Sequence, residues 1–125
     1  MKVLLDTSVL IGEQDPGDVE AAISAASLAE LHFGVLVATD DDERARRTRR
    51  LGLIESTFDP LPINADVARE WGRLAAAVAR AGGKPRRRAI DLAIAATASA
   101  NRLPLLTHNV RAFRALGDLI DIRAP

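Results

Sequence analysis

The chain has 125 residues, 48% of them hydrophobic, with 17 acidic and 17 basic side chains. That size and apolar content support a real core, which argues against disorder and for one domain spanning 1–125. Zero net charge neither demands nor forbids a nucleic-acid partner. There is no cysteine, so disulfides and thiolate metal sites are excluded, in keeping with a reducing compartment. Asp6 cuts the first apolar run far short of the roughly 7–15 residues of a secretory segment, and no run nears the roughly 18 of a membrane span. A cytoplasmic protein without a membrane partner is expected.

Val3 to Leu5 is a short apolar run suited to a buried strand. In "DTSVLIG", Asp6 or Thr7 can cap a short helix. "EQDPGD" reads as a turn because Pro16-Gly17 is a strong breaker, and Val19 to Ile23 reads as a second strand. Ser27 and Glu30 have capping-box spacing, which predicts a helix running to about Ala38. Asp40 to Glu43 precede Arg44, Arg46, Arg47, Arg49 and Arg50, and acids in the first turn with cations in the last complement a helix dipole. Pro60 and Pro62 mark a non-helical connection. Val67, Trp71, Leu74, Ala75 and Val78 share one face of a helix from Ala65 to about Arg80, until "GGKPRRR" breaks it. A helix buried nearly all round follows from Ile90 to about Asn101. Pro104 to Thr107 reads as a strand, Val110 to Leu116 as a helix ended by Gly117, and Leu119 to Ile122 as a last strand. Strands alternating with helices predict an α/β fold with a parallel sheet and helices on both faces, its functional residues at the carboxyl ends of the strands.

Three acids sit oddly in that pattern. Asp6 ends an apolar strand, Glu30 is the one charge between Glu20 and Asp40 apart from His32, and Asp91 begins an otherwise uncharged helix. Each has a structural explanation: a helix cap at Asp6, a capping-box partner at Glu30, dipole stabilisation at Asp91. The last contributes only about 0.3–1 kcal/mol when exposed, a poor offset for burying a carboxylate. Together the three resemble a site for a hard cation. Magnesium and manganese favour oxygen ligands, and such an ion polarises a phosphoryl oxygen and acidifies its water. Gly34, one turn after Glu30, costs a helix roughly 1 kcal/mol against alanine, which points to a packing or functional reason for it.

The segments "VLLDTSVLIG", "ISAASLAELHFGV" and "RRRAIDLAIAATASANRLPLLTHNVRAF" resemble the PIN-domain ribonucleases, specifically VapC-type toxins of type II toxin–antitoxin pairs. The resemblance covers almost the whole chain in the right order. It implies a PIN-like fold with a five-stranded parallel sheet, endoribonuclease activity dependent on Mg2+ or Mn2+, a homodimer, and neutralisation by a small VapB-type antitoxin. Carried over by position, Asp6, Glu30 and Asp91 match the acidic metal-site residues, and Thr7 and Thr107 match supporting hydroxyls. The chain departs where a fourth acid is frequent: Asn109 stands there, with Ala112 in place of a neighbouring Asp. Asparagine offers an oxygen without charge, so one ion held by the protein, with a second arriving on the RNA phosphate, is the expected arrangement.

Lys84, Arg86, Arg87 and Arg88 are either a solvated loop or the attraction that an RNA backbone needs beside acids. The arginines from Arg44 to Arg50 read first as a solvated helix face. His32 and His108 lack ligand spacing, and Trp71 belongs to an apolar stripe. With aromatics at 3%, sequence readout by stacking is disfavoured. Two other enzyme classes fit poorly. A phosphoacceptor domain wants adjacent acids after the first strand and a lysine near the last, and a haloacid-dehalogenase-type phosphatase wants its second Asp at Ser8. A PIN-like module that grips RNA without cutting it is the remaining alternative.

Overall fold

The computed structural model describes residues 1–12 and 17–125; the first part of the expected "EQDPGD" turn lies outside them. The strands are β1 (Lys2–Leu5), β2 (Glu20–Ala22), β3 (Leu105–Leu106) and β4 (Ile122–Arg123). The helices are α1 (Thr7–Leu10), α2 (Ala25–Leu36), α3 (Asp41–Thr57), α4 (Ala65–Arg80) and α5 (Ala89–Ala100), with 3-10 turns at Pro85–Arg88 and Val110–Leu116.

The strands pair in the order β2-β1-β3-β4, every pair parallel, with Leu4 opposite both Ala22 and Leu105. Side chains alternate across a strand, and β1 feeds two cores accordingly. Leu4 joins Leu74, Leu92 and Phe113 on one face, while Val3 and Leu5 join Ile23, Leu31 and Ile54 on the other. Helix α5 is buried continuously from Leu92 to Ala98 and packs against α4 and α2. Its run of alanines permits that close approach on more than one side.

Several boundaries differ from the sequence expectation. The sheet has four strands where five were expected, and outside it one isolated parallel bridge joins Ser24 to Leu61. Leu61 is flanked by Pro60 and Pro62, which have no N–H to extend a ladder. Helix α2 starts a turn earlier than the capping box predicts: Ser24 is the cap, its hydroxyl accepting from the Ala26 N–H at 3.1 Å. The Ala25 N–H is drawn to the Leu61 carbonyl at 2.9 Å, which holds the entry extended one turn before Ser27. Ser27 is thereby buried inside the helix. Helix α3 runs on to Thr57, so its arginines fall mid-helix and its last turn has no cation; Arg46 and Arg47 pair with Glu43, and Arg44 with Asp41, one turn back instead of with the helix dipole. The segment after Asn109 is a 3-10 turn, and the N–H groups of Leu119 and Ile120 return to the Leu116 carbonyl. That fold-back delays the last strand to Ile122–Arg123.

Candidate active site

Asp6 and Thr107 directly follow β1 and β3, so adjacent parallel strands deliver them to the same edge of the sheet. Asp6 stands at the cap position of α1 but makes no capping bond with its side chain. Its buried carboxylate turns to hydroxyls: Thr107 Oγ1 and Ser8 Oγ each donate to Oδ2 at 2.8 Å. Backbone donors fix both hydroxyls, with the His108 N–H 3.2 Å from Ser8 Oγ and the Asn109 N–H 3.0 Å from Thr107 Oγ1. Asn109 therefore supports the site through its backbone, and its side chain is exposed.

Glu30 lies one turn beyond Ser27 on α2. Thr7 Oγ1 donates to Glu30 Oε1 at 2.6 Å and sits 3.0 Å from Ser27 Oγ. The capping role expected for Glu30 is absent because the helix begins earlier, so this carboxylate is free for other work. Asp91 is in the first turn of α5, with Arg88 Nε 3.6 Å from its Oδ2. Arg88 also lies over the Phe113 ring, 5.6 Å from its centroid, within cation–π range.

Burial pushes the Glu30 carboxyl above its ordinary value; the Thr7 bond opposes this, and the charges of Asp91 and Asp6 add to it. Burial likewise raises Asp91, next the charge of Asp6, against a lowering by Arg88. The three acids thus feel one another. Glu30 and Asp91 border one hollow of about 350 Å³ with Arg86, Arg87 and Arg88. Asp6 acts on both acids from beside that hollow, which it does not line. Lys84 is exposed and also lies outside the lining. Among the described residues, no three of His, Cys, Asp and Glu form a ready group of metal ligands. The acids converge on one region rather than on one point.

Sequence reasoning missed Ser8 and Ser27, which hold Asp6 and Thr7. Ser8 had a visible signal, a hydroxyl two residues after a carboxylate in a turn, where such bonds are common. Ser27 was assigned to the wrong task, as a cap.

The sequence pattern of the PIN domain matches residues 3–119. This chain belongs to the PIN-domain family. Within it the chain groups with VapC-type members. It is 38% identical to the ribonuclease VapC5 of Mycobacterium tuberculosis over 115 residues, 85% of this chain and 82% of that one. Against ribonuclease VapC4 of the same organism the identity is 36%, covering 86% of each. Among solved structures, VapBC-5 of M. tuberculosis superposes with a TM-score of 0.84 at 35% identity, over 98% of this chain and 96% of that one. FitAcB of Neisseria gonorrhoeae reaches 0.75 at 25% identity, over 98% and 96%. The expected PIN-like fold and VapC kinship are borne out, with four strands where five were expected. No helix among the described residues is long and apolar enough to cross a membrane.

Proposed function

We propose that this PIN domain is an endoribonuclease, the toxin of a type II toxin–antitoxin pair, which hydrolyses RNA phosphodiesters with a divalent ion held by Asp6, Glu30 and Asp91. The observation that carries the reading is the gathering of these three acids at the carboxyl edge of the sheet, where burial first and neighbouring acids next push Glu30 and Asp91 above their ordinary values. Perturbed acids in a cleft mark functional sites, and crowded carboxylates are relieved by a cation. The donor set fits magnesium or manganese, since it is all oxygen and leaves room for water. When bound, such an ion supplies Lewis acidity toward a phosphoryl oxygen and a more acidic water.

The chain's own groups do the rest. Ser8 and Thr107 fix the Asp6 carboxylate in rotation through their bonds to Oδ2, and Thr7 does the same for Glu30 through Oε1. Arg88 offsets part of the charge on Asp91, and Arg86 and Arg87 attract a backbone that the acids alone would repel. The relatives named as VapC ribonucleases support the reaction class. The solved VapBC-5 structure, a member of the VapBC toxin–antitoxin family, supports a VapB-type antitoxin as partner. A homodimer in the cytoplasm completes the proposal, with sedimentation in solution as its check.

The test is cleavage of an RNA pool with and without magnesium, using purified wild type and Asp6→Asn. Metal-dependent cleavage by wild type and its loss in a folded variant is the expected result; equal cleavage by both would remove Asp6 from the mechanism. Asn109 in place of an acid favours the second reading, a module that binds RNA uncut. Its signature is magnesium-dependent RNA binding with no new 5′ ends.

A further inference from the structure

Helix α3 contributes a second basic wall beside Glu30. A hollow of about 310 Å³ between α1, α2 and α3 is lined by Thr7, Glu30, Gly34, Glu43, Arg47 and Arg50, among others. Glu30 borders both this hollow and the one lined by Arg86, Arg87 and Arg88. One site carboxylate therefore stands between two sets of arginines from unrelated parts of the chain.

The two arginines of the second wall differ in how well they are satisfied. Arg47 is tied down, its Nε donating to Glu43 Oε1 at 2.9 Å and its Nη1 to the Gly34 carbonyl at 2.7 Å. Glu43 also binds Arg46 at 2.5 Å, so one carboxylate serves two guanidinium groups and cannot neutralise both. Arg50 has no ion-pair partner among the described residues, and its Nε is buried without a hydrogen bond. Guanidinium keeps its proton throughout the physiological range, and a buried donor left unmade is costly. Glu30 does not fill this role, since the charges acting on it are those of Asp91 and Asp6. The hollow holds an unanswered cation.

Gly34 is the second observation. A Cβ there would meet only Arg47 Nη1, at 3.9 Å, an ordinary contact. Packing within the chain does not require glycine at this mid-helix position, although glycine weakens the helix. The missing side chain leaves the wall of the hollow open at this position.

We propose that this hollow is a second phosphate subsite, in which Arg50, aided by Arg47, grips the RNA backbone on the opposite side of the cleaved linkage from Arg86–Arg88. The inference rests on the nuclease reading above. A phosphate oxygen is the acceptor that a forked guanidinium matches best. Two flanking basic walls also offset three acids that would otherwise repel the strand. With few aromatic side chains for stacking, the strand is held by its backbone, so the subsite tolerates any base.

Fluorescence anisotropy of a labelled single-stranded RNA of roughly ten nucleotides, within the site sizes such grooves cover, tests this in EDTA across a salt series. Arg50→Ala is expected to weaken binding about tenfold at low salt. It should also flatten the slope of log affinity against log salt by about 0.7, the loss of one phosphate contact on a single strand. Arg50→Lys should keep the slope, Arg86→Ala should lower it separately, and the double variant should show both losses. Gly34→Leu, which changes no charge, should weaken binding by filling the hollow. Thermal melting confirms that each variant is folded. An unchanged slope in folded Arg50→Ala overturns the subsite. If that variant instead loses affinity for a VapB-type antitoxin, the hollow takes an acidic protein segment and the proposal is equally overturned. Absence of metal-dependent cleavage by wild type reports failure of the nuclease reading alone, whatever the slopes show.

Discussion

Two hollows of similar size lie at opposite ends of the sheet. At the amino ends of β3 and β4, about 290 Å³ is bounded by Ser99, Arg102 and Asp121 with apolar neighbours. At the carboxyl ends, about 350 Å³ is bounded by Glu30, Asp91 and the Arg86–Arg88 turn. Around the first, the carboxylates are answered. Glu70 accepts from Arg73 at 2.6 Å and Ser99 at 2.9 Å, Asp121 pairs with Arg123 at 2.7 Å, and both carboxyls are held below their ordinary range. Around the second, Glu30 and Asp91 are pushed above theirs. Volume does not distinguish a site from a surface dent in this molecule. The state of the carboxylates separates the proposed site from the dent, because acids perturbed by burial and by one another cluster at functional sites.

The sharpest way to break that contrast is to remove an acid at each end. Asp6→Asn should lower RNA cleavage at least about a hundredfold, since a metal-site ligand supplies several kcal/mol to the transition state. Glu70→Gln should leave the rate within about twofold and cost less than about 1 kcal/mol of stability, as for most exposed pairs. Comparable losses of cleavage in both would erase the distinction.

Thr107→Val comes next in size. It keeps the shape but removes a hydroxyl that donates to a buried carboxylate. Stability should fall by about 1–3 kcal/mol in chemical denaturation, with cleavage reduced about 10–100-fold through the loosened Asp6.

The pH dependence follows from the signs. A carboxyl whose folded-state pKa is raised binds its proton more tightly when folded, so its ionisation opposes folding above that value, and the penalty disappears as pH falls through it. Glu30 and Asp91 belong to this class. Glu43, Glu70 and Asp121 have the opposite sign, contributing stability above their unfolded values and losing it as pH falls through their lowered ones. Without metal, Asp91→Asn should therefore melt slightly above wild type at neutral pH, by less than about 1 kcal/mol given its partial exposure. That gain should vanish as pH drops through the upper carboxylate range. Stabilisation of wild type by added manganese should disappear over the same window, because protons and the ion compete for the same oxygens. A melting difference independent of pH would show that the cost of ionising these acids, by burial and then by one another, is not what sets them apart.

The smallest effect belongs to Gly34→Ala, where ordinary contact distance leaves room for a methyl group. Stability should rise by up to about 1 kcal/mol through helix propensity, read as a melting shift of a few degrees.

Much of this was legible in the amino-acid order. The apolar run before Asp6, the amphipathic stripe from Val67 to Val78 and the uncharged stretch after Asp91 are local patterns with one sensible reading each. They gave the parallel α/β class, the order of its elements and the three acids. Ser24 was not legible as the cap of α2, because its competitor Ser27 has equally good local chemistry; the backbone bond from Ala25 to Leu61 decides between them across the chain. The same holds for Ser27 as a support and for Arg50, which local sequence makes one more cation on a charged helix.

By itself, the sequence determined which segments would be strands and helices and which acids lacked a local reason to exist, because periodicity and burial cost are properties of neighbouring residues. Tertiary structure alone decided which hydroxyl holds which acid, which acids repel one another, and which arginine is left unanswered. Apart from the local bond of Ser8 to Asp6, the hydroxyl contacts to the site acids join residues separated by 23 to 101 positions, and only packing of the sheet against its helices sets them.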